Sequence, residues 1–290
     1  MNAVEENGQG MAKVAVVQIP GVNCEYETTR ALTAVGLTAR IVRWNEPASV
    51  WSEFDAYVLP GGFAFQDRIR AGAIAAKLPA VDRIAAESES GKPVLGICNG
   101  AQVLVEAGLV PGFQKGRVEM ALAPNKAPRR SGYLCRWVWL KASPGPGSSW
   151  FAASIRPGEV VPMPIAHGEG RFLTADPEVR ERIQKDGLVL FRYVAPSGGP
   201  PDQYPYDPNG AMLEAAGITN RAGNILAFMP HPERASWLRQ VPLELRNAWG
   251  ERRRAAVGNL HDLEGPGPGR MIFQSLAARL LAREGQAARS

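Results

Sequence analysis

Residues 93–102 read Pro-Val-Leu-Gly-Ile-Cys-Asn-Gly-Ala-Gln, and no other stretch restricts the fold as tightly. The apolar run before Cys98 predicts the end of a short buried strand. Val103, Leu104 and Ala107 then recur at helical spacing until Gly108 stops them. Cys98 therefore falls on a sharp strand-to-helix turn, in the Gly-x-Cys-x-Gly frame of a nucleophile elbow with sulfur in place of a serine oxygen. Gly96 and Gly100 have no Cβ, so strand and helix can pass close together. The free N–H groups of the new helix favour negative charge at the sulfur and can receive an oxyanion. A cysteine after an apolar run is ordinarily a small core residue, so the elbow needs support from elsewhere in the chain.

The surrounding pattern supplies a frame for it. Residues 14–19, 39–44 and 55–60 read as strands, a helix is expected over 28–35, and a long Ala-rich helix over 69–86. This alternation predicts an α/β fold: a mostly parallel central sheet flanked by helices, with chemistry at the carboxyl ends of its strands. Gly61-Gly62 and Cys98 both sit at such ends. From Gly116 the pattern changes to strands at 117–122, 133–141, 160–166 and 188–194 with no long helices between them, which predicts a mixed or antiparallel extension. Another apolar strand, 224–229, leads to Pro230-His231-Pro232-Glu233. Residues 237–257 carry apolar positions amid five arginines and read as an amphipathic helical insertion, within a segment spanning 236–269. A final helix is expected over 271–281. The domain reading is a flexible extension at 1–11 and a single domain over 12–290, with either Met1 or Met11 as the start.

Bulk composition narrows the classes. The chain has 290 residues, a net charge of +5 and three cysteines. Without an aromatic-interleaved basic stripe, nucleic acid is a poor partner. Three scattered cysteines suit neither a disulfide framework nor a thiolate metal site, so no metal is expected and a reducing, cytoplasmic setting fits. No run approaches membrane-spanning length, and no membrane partner is expected.

A cysteine nucleophile needs a base, and the base an orienting partner. There are three histidines. His261 lies in the arginine-rich segment and reads as a surface residue. His231 ends an apolar strand with Glu233 two residues on; in extended backbone those two side chains share a face. His167, beside Gly168-Glu169-Gly170, is the competing candidate.

With Gly-Ile-Cys98-Asn-Gly-Ala-Gln and His231-Pro232-Glu233 in hand, the chain resembles the class I, triad-type glutamine amidotransferases. Gln18-Ile19-Pro20-Gly21-Val22-Asn23-Cys24, Pro60-Gly61-Gly62-Phe63, Ala166-His167-Gly168-Glu169-Gly170-Arg171-Phe172 and Tyr206-Asp207-Pro208-Asn209-Gly210 narrow the resemblance. They are similar to the glutaminase subunit of phosphoribosylformylglycinamidine synthase. The resemblance implies a flavodoxin-like amidotransferase fold and a catalytic triad of Cys98, His231 and Glu233. It implies backbone N–H groups of Gly62 and Asn99 as oxyanion donors, and Gln102 placed to bond the substrate glutamine. His167 is assigned to a loop near the glutamine pocket or a partner interface. It further implies an activity completed by a separate large synthetase subunit, which would hold ATP and Mg, with a small third subunit; this chain has no Walker-type segment of its own. A glutaminase serving another biosynthetic synthetase is the alternative, and a non-catalytic scaffold the more distant one. One departure stands out: family members often carry Tyr-Gly-Asp where this chain has Phe65-Gln66-Asp67, so the loop lacks a glycine.

Overall fold

The computed structural model describes residues 12–126 and 132–287; the expected extension at 1–11 lies outside them. Eleven strands occur among the described residues: β1 (Lys13–Gln18), β2 (Thr38–Arg43), β3 (Ala56–Leu59), β4 (Val94–Ile97), β5 (Ala121–Pro124), β6 (Leu134–Ala142), β7 (Val160–His167), β8 (Glu169–Leu173), β9 (Val189–Val194), β10 (Ala215–Thr219) and β11 (Ile225–Phe228). The helices are α1 (Glu25–Thr33), α2 (Ala48–Trp51), α3 (Pro79–Glu89), α4 (Asn99–Glu106), α5 (Ser148–Phe151), α6 (Pro177–Lys185), α7 (Ala248–Ala255), α8 (Leu260–Leu263) and α9 (Arg270–Ala287).

Nine strands form one sheet in the order β2-β1-β3-β4-β11-β10-β9-β6-β7, and β5 pairs with β8 apart from it. The first five run parallel, and each of the last four is antiparallel to its neighbours. This is the expected mostly parallel sheet with an antiparallel extension. All four residues of β3, β4 and β11 are buried, as are Val14 to Val17 of β1. Such continuous apolar runs belong to strands covered on both faces. Helix α1 packs on β1 and β2, and α4 on β3, β4 and β11.

Register decides where the chemistry can collect. Leu59 pairs with Gly96, and Ile97 with Phe228, so β3, β4 and β11 end at one edge of the sheet. The segments that leave this edge are Pro60-Gly61-Gly62, Cys98, and Met229-Pro230-His231.

Three expectations need correction. The long helix over 69–86 begins only at Pro79; residues 68–74 form a loop, with one 3-10 turn at Ala75–Lys77. Ile69 (φ +73°) and Gly72 (φ +81°) are incompatible with helix there, and a Cβ on Gly72 would lie 2.6 Å from the Gln102 backbone. The strand expected at 117–122 starts at Ala121 and pairs with β8. Helix α6, absent from the expected pattern, is opened by Asp176, whose carboxylate accepts from the N–H groups of Glu178 and Val179, with Pro177 at its first position.

The arginine-rich segment is likewise not one amphipathic helix. Leu238–Gln240 is a 3-10 turn, and Asn247 caps the eight-residue α7. Leu238, Val241 and Ala256 form a small core of their own with Leu245, Trp249 and Leu263 against it. Arg30, Arg239 and Arg270 lie over the Trp237 ring at 4.8, 5.6 and 5.3 Å, and Glu264 bridges Arg30 and Arg239. These cations are engaged within the chain. Among the described residues no helix is long and apolar enough to cross a membrane.

Candidate active site

Cys98 stands between β4 and α4 with φ +50° and ψ −103°, a conformation that an L-residue holds only at a cost of about 1–3 kcal/mol. Glycines on both sides make this possible. A Cβ on Gly96 would come within 2.6 Å of the Gly100 carbonyl oxygen, and one on Gly100 would collide with the backbone of Leu59. The Cys98 N–H donates to Phe228 O at 2.7 Å, fastening the elbow to β11. The thiol is 5% exposed, and its hydrogen points to the Ala166 carbonyl at 3.4 Å. The sulfur lines a cavity of about 180 Å³ with Gly62, Gln102, Tyr133, His167 and Glu169.

His231 and Glu233 are brought together, with His231 Nδ1 2.5 Å from Glu233 Oε1 and both side chains buried. The route differs from the expected one. Residues Pro232–Ala235 form a 3-10 turn, so Glu233 folds back under the ring rather than sharing a strand face with it. The His231 N–H is anchored to Pro164 O at 2.8 Å. Burial alone would push this imidazole toward its neutral form. Glu233, Cys98 and Cys24 outweigh burial, and His231 titrates well above the ordinary histidine range. With Nδ1 given to Glu233, Nε2 remains buried without a partner among the described residues, free to exchange a proton with a bound substrate.

His167 is the last residue of β7 and a wall of the cavity, not a loop residue. Asn125 fixes its tautomer. The Asn125 amide N–H groups donate to Gly132 O and His167 O, and its oxygen accepts from Gly170 N–H, so His167 Nδ1, 3.0 Å from that oxygen, carries the hydrogen. Burial, then the charge of His231, lowers its pKa to about 3, so the ring is neutral. His261 is exposed, as expected.

Asn99 and Gln102 share one network. The Asn99 side-chain oxygen accepts the Ala64 N–H at 2.9 Å, and its amide donates to Asp67 at 3.1 Å and to Gln102 Oε1 at 2.8 Å. Gln102 donates to Glu169 O at 2.6 Å. Gln102 thus borders the cavity with its amide already engaged by protein groups. Gly62 (φ +155°) packs against residues 21–23, and among the described residues its N–H donates to no protein group. The missing glycine of the following loop has a definite outcome. Phe65, Gln66 and Asp67 take φ of +52°, +61° and +52°, so Gln66 adopts a glycine-like conformation. Phe65 N–H to Pro20 O at 2.8 Å and the Asn99 bonds hold it there.

Sequence reading missed Asn125, Glu169 and above all Cys24. The sulfur of Cys24 lies with a His231 ring nitrogen and a Glu233 oxygen within 4.8 Å of one another. That donor set could ligate a metal, but Arg234 donates to the same sulfur at 3.0 Å and opposes a second cation there. Burial, before any other influence, pushes the Cys24 thiol up to about 11.

A thiol on an elbow, a buried imidazole backed by a carboxylate and a small cavity in front of the sulfur fit acyl transfer through a covalent intermediate. Residues 11–258 match the CobB/CobQ-like glutamine amidotransferase domain, a class consistent with that chemistry. The chain is 42% identical over 269 residues to phosphoribosylformylglycinamidine synthase subunit PurQ of Methanothrix thermoacetophila, covering 91% of this chain and 96% of that one. It is 43% identical over 227 residues to PurQ of Pyrococcus furiosus, covering 78% and 90%. A chain in the structure of PurLQS from Thermotoga maritima superposes with a TM-score of 0.66 at 30% identity, over 93% of this chain and 99% of that one. The chain belongs to the PurQ family of glutamine amidotransferase subunits.

Proposed function

We propose that this chain is the glutaminase subunit of phosphoribosylformylglycinamidine synthase, acting in purine biosynthesis. The observation that carries the reading is the conjunction of near-complete coverage of the PurQ relatives with the elbow cysteine and the buried His231–Glu233 pair. In this reading the Cys98 thiol passes its proton to His231, and the thiolate of the resulting thiolate–imidazolium pair attacks the side-chain amide carbon of glutamine. The carbonyl π electrons move onto oxygen, where the N–H groups of Gly62 and Asn99 stabilise the tetrahedral oxyanion. Collapse breaks the C–N bond, His231 supplies the proton that lets ammonia leave, and a γ-glutamyl thioester remains. His231, now neutral, takes a proton from water as the water attacks the thioester, and glutamate departs with Cys98 restored. Glu233 holds the imidazole ring and balances its charge. Gln102 and Glu169 shape the wall that faces the substrate.

Ammonia from this reaction would pass to a synthetase subunit, which would hold ATP and Mg and convert formylglycinamide ribonucleotide to formylglycinamidine ribonucleotide. The PurLQS assembly, one of whose chains this protein resembles, supports such a partner. Labelling with a diazo-ketone analogue of glutamine tests the site. Label confined to Cys98 and blocked by excess glutamine is expected, in the presence of the synthetase subunit. Label on Cys24 or Cys135, or label indifferent to glutamine, would overturn the assignment.

A further inference from the structure

Cys24 takes no part in the reaction described above, yet it is wholly buried beside the groups that do. It precedes α1, far from His231 in sequence. The N–H groups of Asn23 and Cys24 both donate to Gly61 O at 3.2 Å, which fixes the backbone. The thiol hydrogen points to Asn23 Oδ1 at 3.2 Å, so the sulfur turns its lone pairs elsewhere. Arg234 donates to it through Nη2 at 3.0 Å while its Nε bonds Glu27 at 3.0 Å. The same Nε is 3.8 Å from Glu233 Oε1, beyond hydrogen-bond length. Two acceptors thus restrain a guanidinium that could otherwise close on the carboxylate serving His231.

We propose that Cys24 is a positioning residue: its sulfur, together with Glu27, holds Arg234 off Glu233, and so leaves the Glu233 charge to His231. This rests on His231 being the proton carrier of the glutaminase reaction. Removing the sulfur opens a void beside the guanidinium, which then turns to Glu233. A carboxylate shared with arginine attracts the imidazolium proton less, so His231 gives it up at lower pH. The groups that face His231 are Glu233 and Arg234 from its own turn, Cys24 ahead of α1, Cys98 at the head of α4, His167 at the end of β7 and Tyr133 ahead of β6. The neutral His167 carries no charge at working pH. Cys24 does not line the cavity, so substrate binding is not its business.

The test is the pH profile of glutaminase kcat/KM in the complex with the synthetase subunit. In Cys24→Ala the alkaline limb, where His231 loses its proton, should move down by about one pH unit, while KM for glutamine at neutral pH stays within about twofold. Cys24→Ser, which keeps an acceptor of similar size, should restore the limb. Arg234→Gln alone should move the limb up, and adding Cys24→Ala to it should bring a clearly smaller downward shift than Cys24→Ala brings in the wild type, because only the direct support that Cys24 gives His231 is then lost. An unmoved limb in Cys24→Ala overturns the proposal, as does a shift of the same size with and without Arg234. So does a downward shift in Arg234→Gln alone, which holds even where Cys24→Ala does not fold. A wild-type complex with no glutaminase activity would instead sink the functional reading on which the proposal rests.

Discussion

The Asn99 side-chain oxygen accepts the Ala64 N–H at 2.9 Å, tying the loop after β3 to the first residue of the nucleophile's helix. The two proposed oxyanion donors, the N–H groups of Gly62 and Asn99, lie on either side of this bond. It spans 35 residues of sequence and is buried, so its geometry is insulated from solvent.

Asn99→Ala leaves both backbone donors in place but releases Ala64 and Asp67. A loosened oxyanion hole costs rate rather than binding, so kcat for glutamine hydrolysis should fall about 10–100-fold with KM little changed. Steady-state kinetics of the assembled enzyme, with circular dichroism to confirm folding, would check it. An unaltered kcat would remove the loop tie from the mechanism.

Cys98→Ala removes the proposed nucleophile without disturbing the rest of the chain. Glutamine-dependent product formation should vanish, while synthesis from added ammonium salts continues near the wild-type rate. Loss of both activities would indicate damaged assembly and leave the nucleophile unassigned.

Gly61 is the point where the loop passes the His231 ring, the proposed base. A Cβ there would lie 2.7 Å from His231 Cε1 and 3.2 Å from the Cys24 sulfur. Gly61→Ala should therefore push the imidazole off line and lower kcat by about 100-fold, since small misplacements of a catalytic group are costly. A rapid-quench measurement of thioester formation would show the defect directly; a normal acylation rate would contradict it.

His167 sets an acid limit on stability. Its folded-state pKa, about 3, lies below the ordinary histidine value of 6.5. The unfolded chain binds the proton first as pH falls, so the contribution is full above about pH 6.5 and is lost progressively toward pH 3. His167→Gln, neutral throughout, should flatten the fall in thermal midpoint between pH 6.5 and 4 that the wild type shows. Parallel slopes in the two proteins would argue against it.

Much of the sheet was legible because its physics is local. The runs at β1, β3 and β4 are apolar on both faces, and Gly96 and Gly100 mark the elbow whatever surrounds them. His231 and Glu233 announced themselves by two-residue spacing, although the turn that joins them did not. Cys24 gave no such cue: its partner Arg234 is 210 positions away, and only tertiary packing unites them. The loop over 68–74 looked helical because its alanines are good helix formers, and one close approach of Gly72 to α4 overrides that preference. Helix α6 did carry a signal, Asp176-Pro177, which the strand-rich surroundings masked.

The place of β11 in the sheet has a consequence for biosynthesis of the chain itself. Residue 94 of β4 pairs with residue 225, so the strand that brings His231 to Cys98 is made long after the elbow has left the ribosome. Until then β4 presents an open edge, and Cys98 lacks the strand that brings His231, its proposed base, beside it. On the proposed site assignment, a nascent chain should stay inactive toward glutamine until β11 has entered the middle of the sheet beside β4.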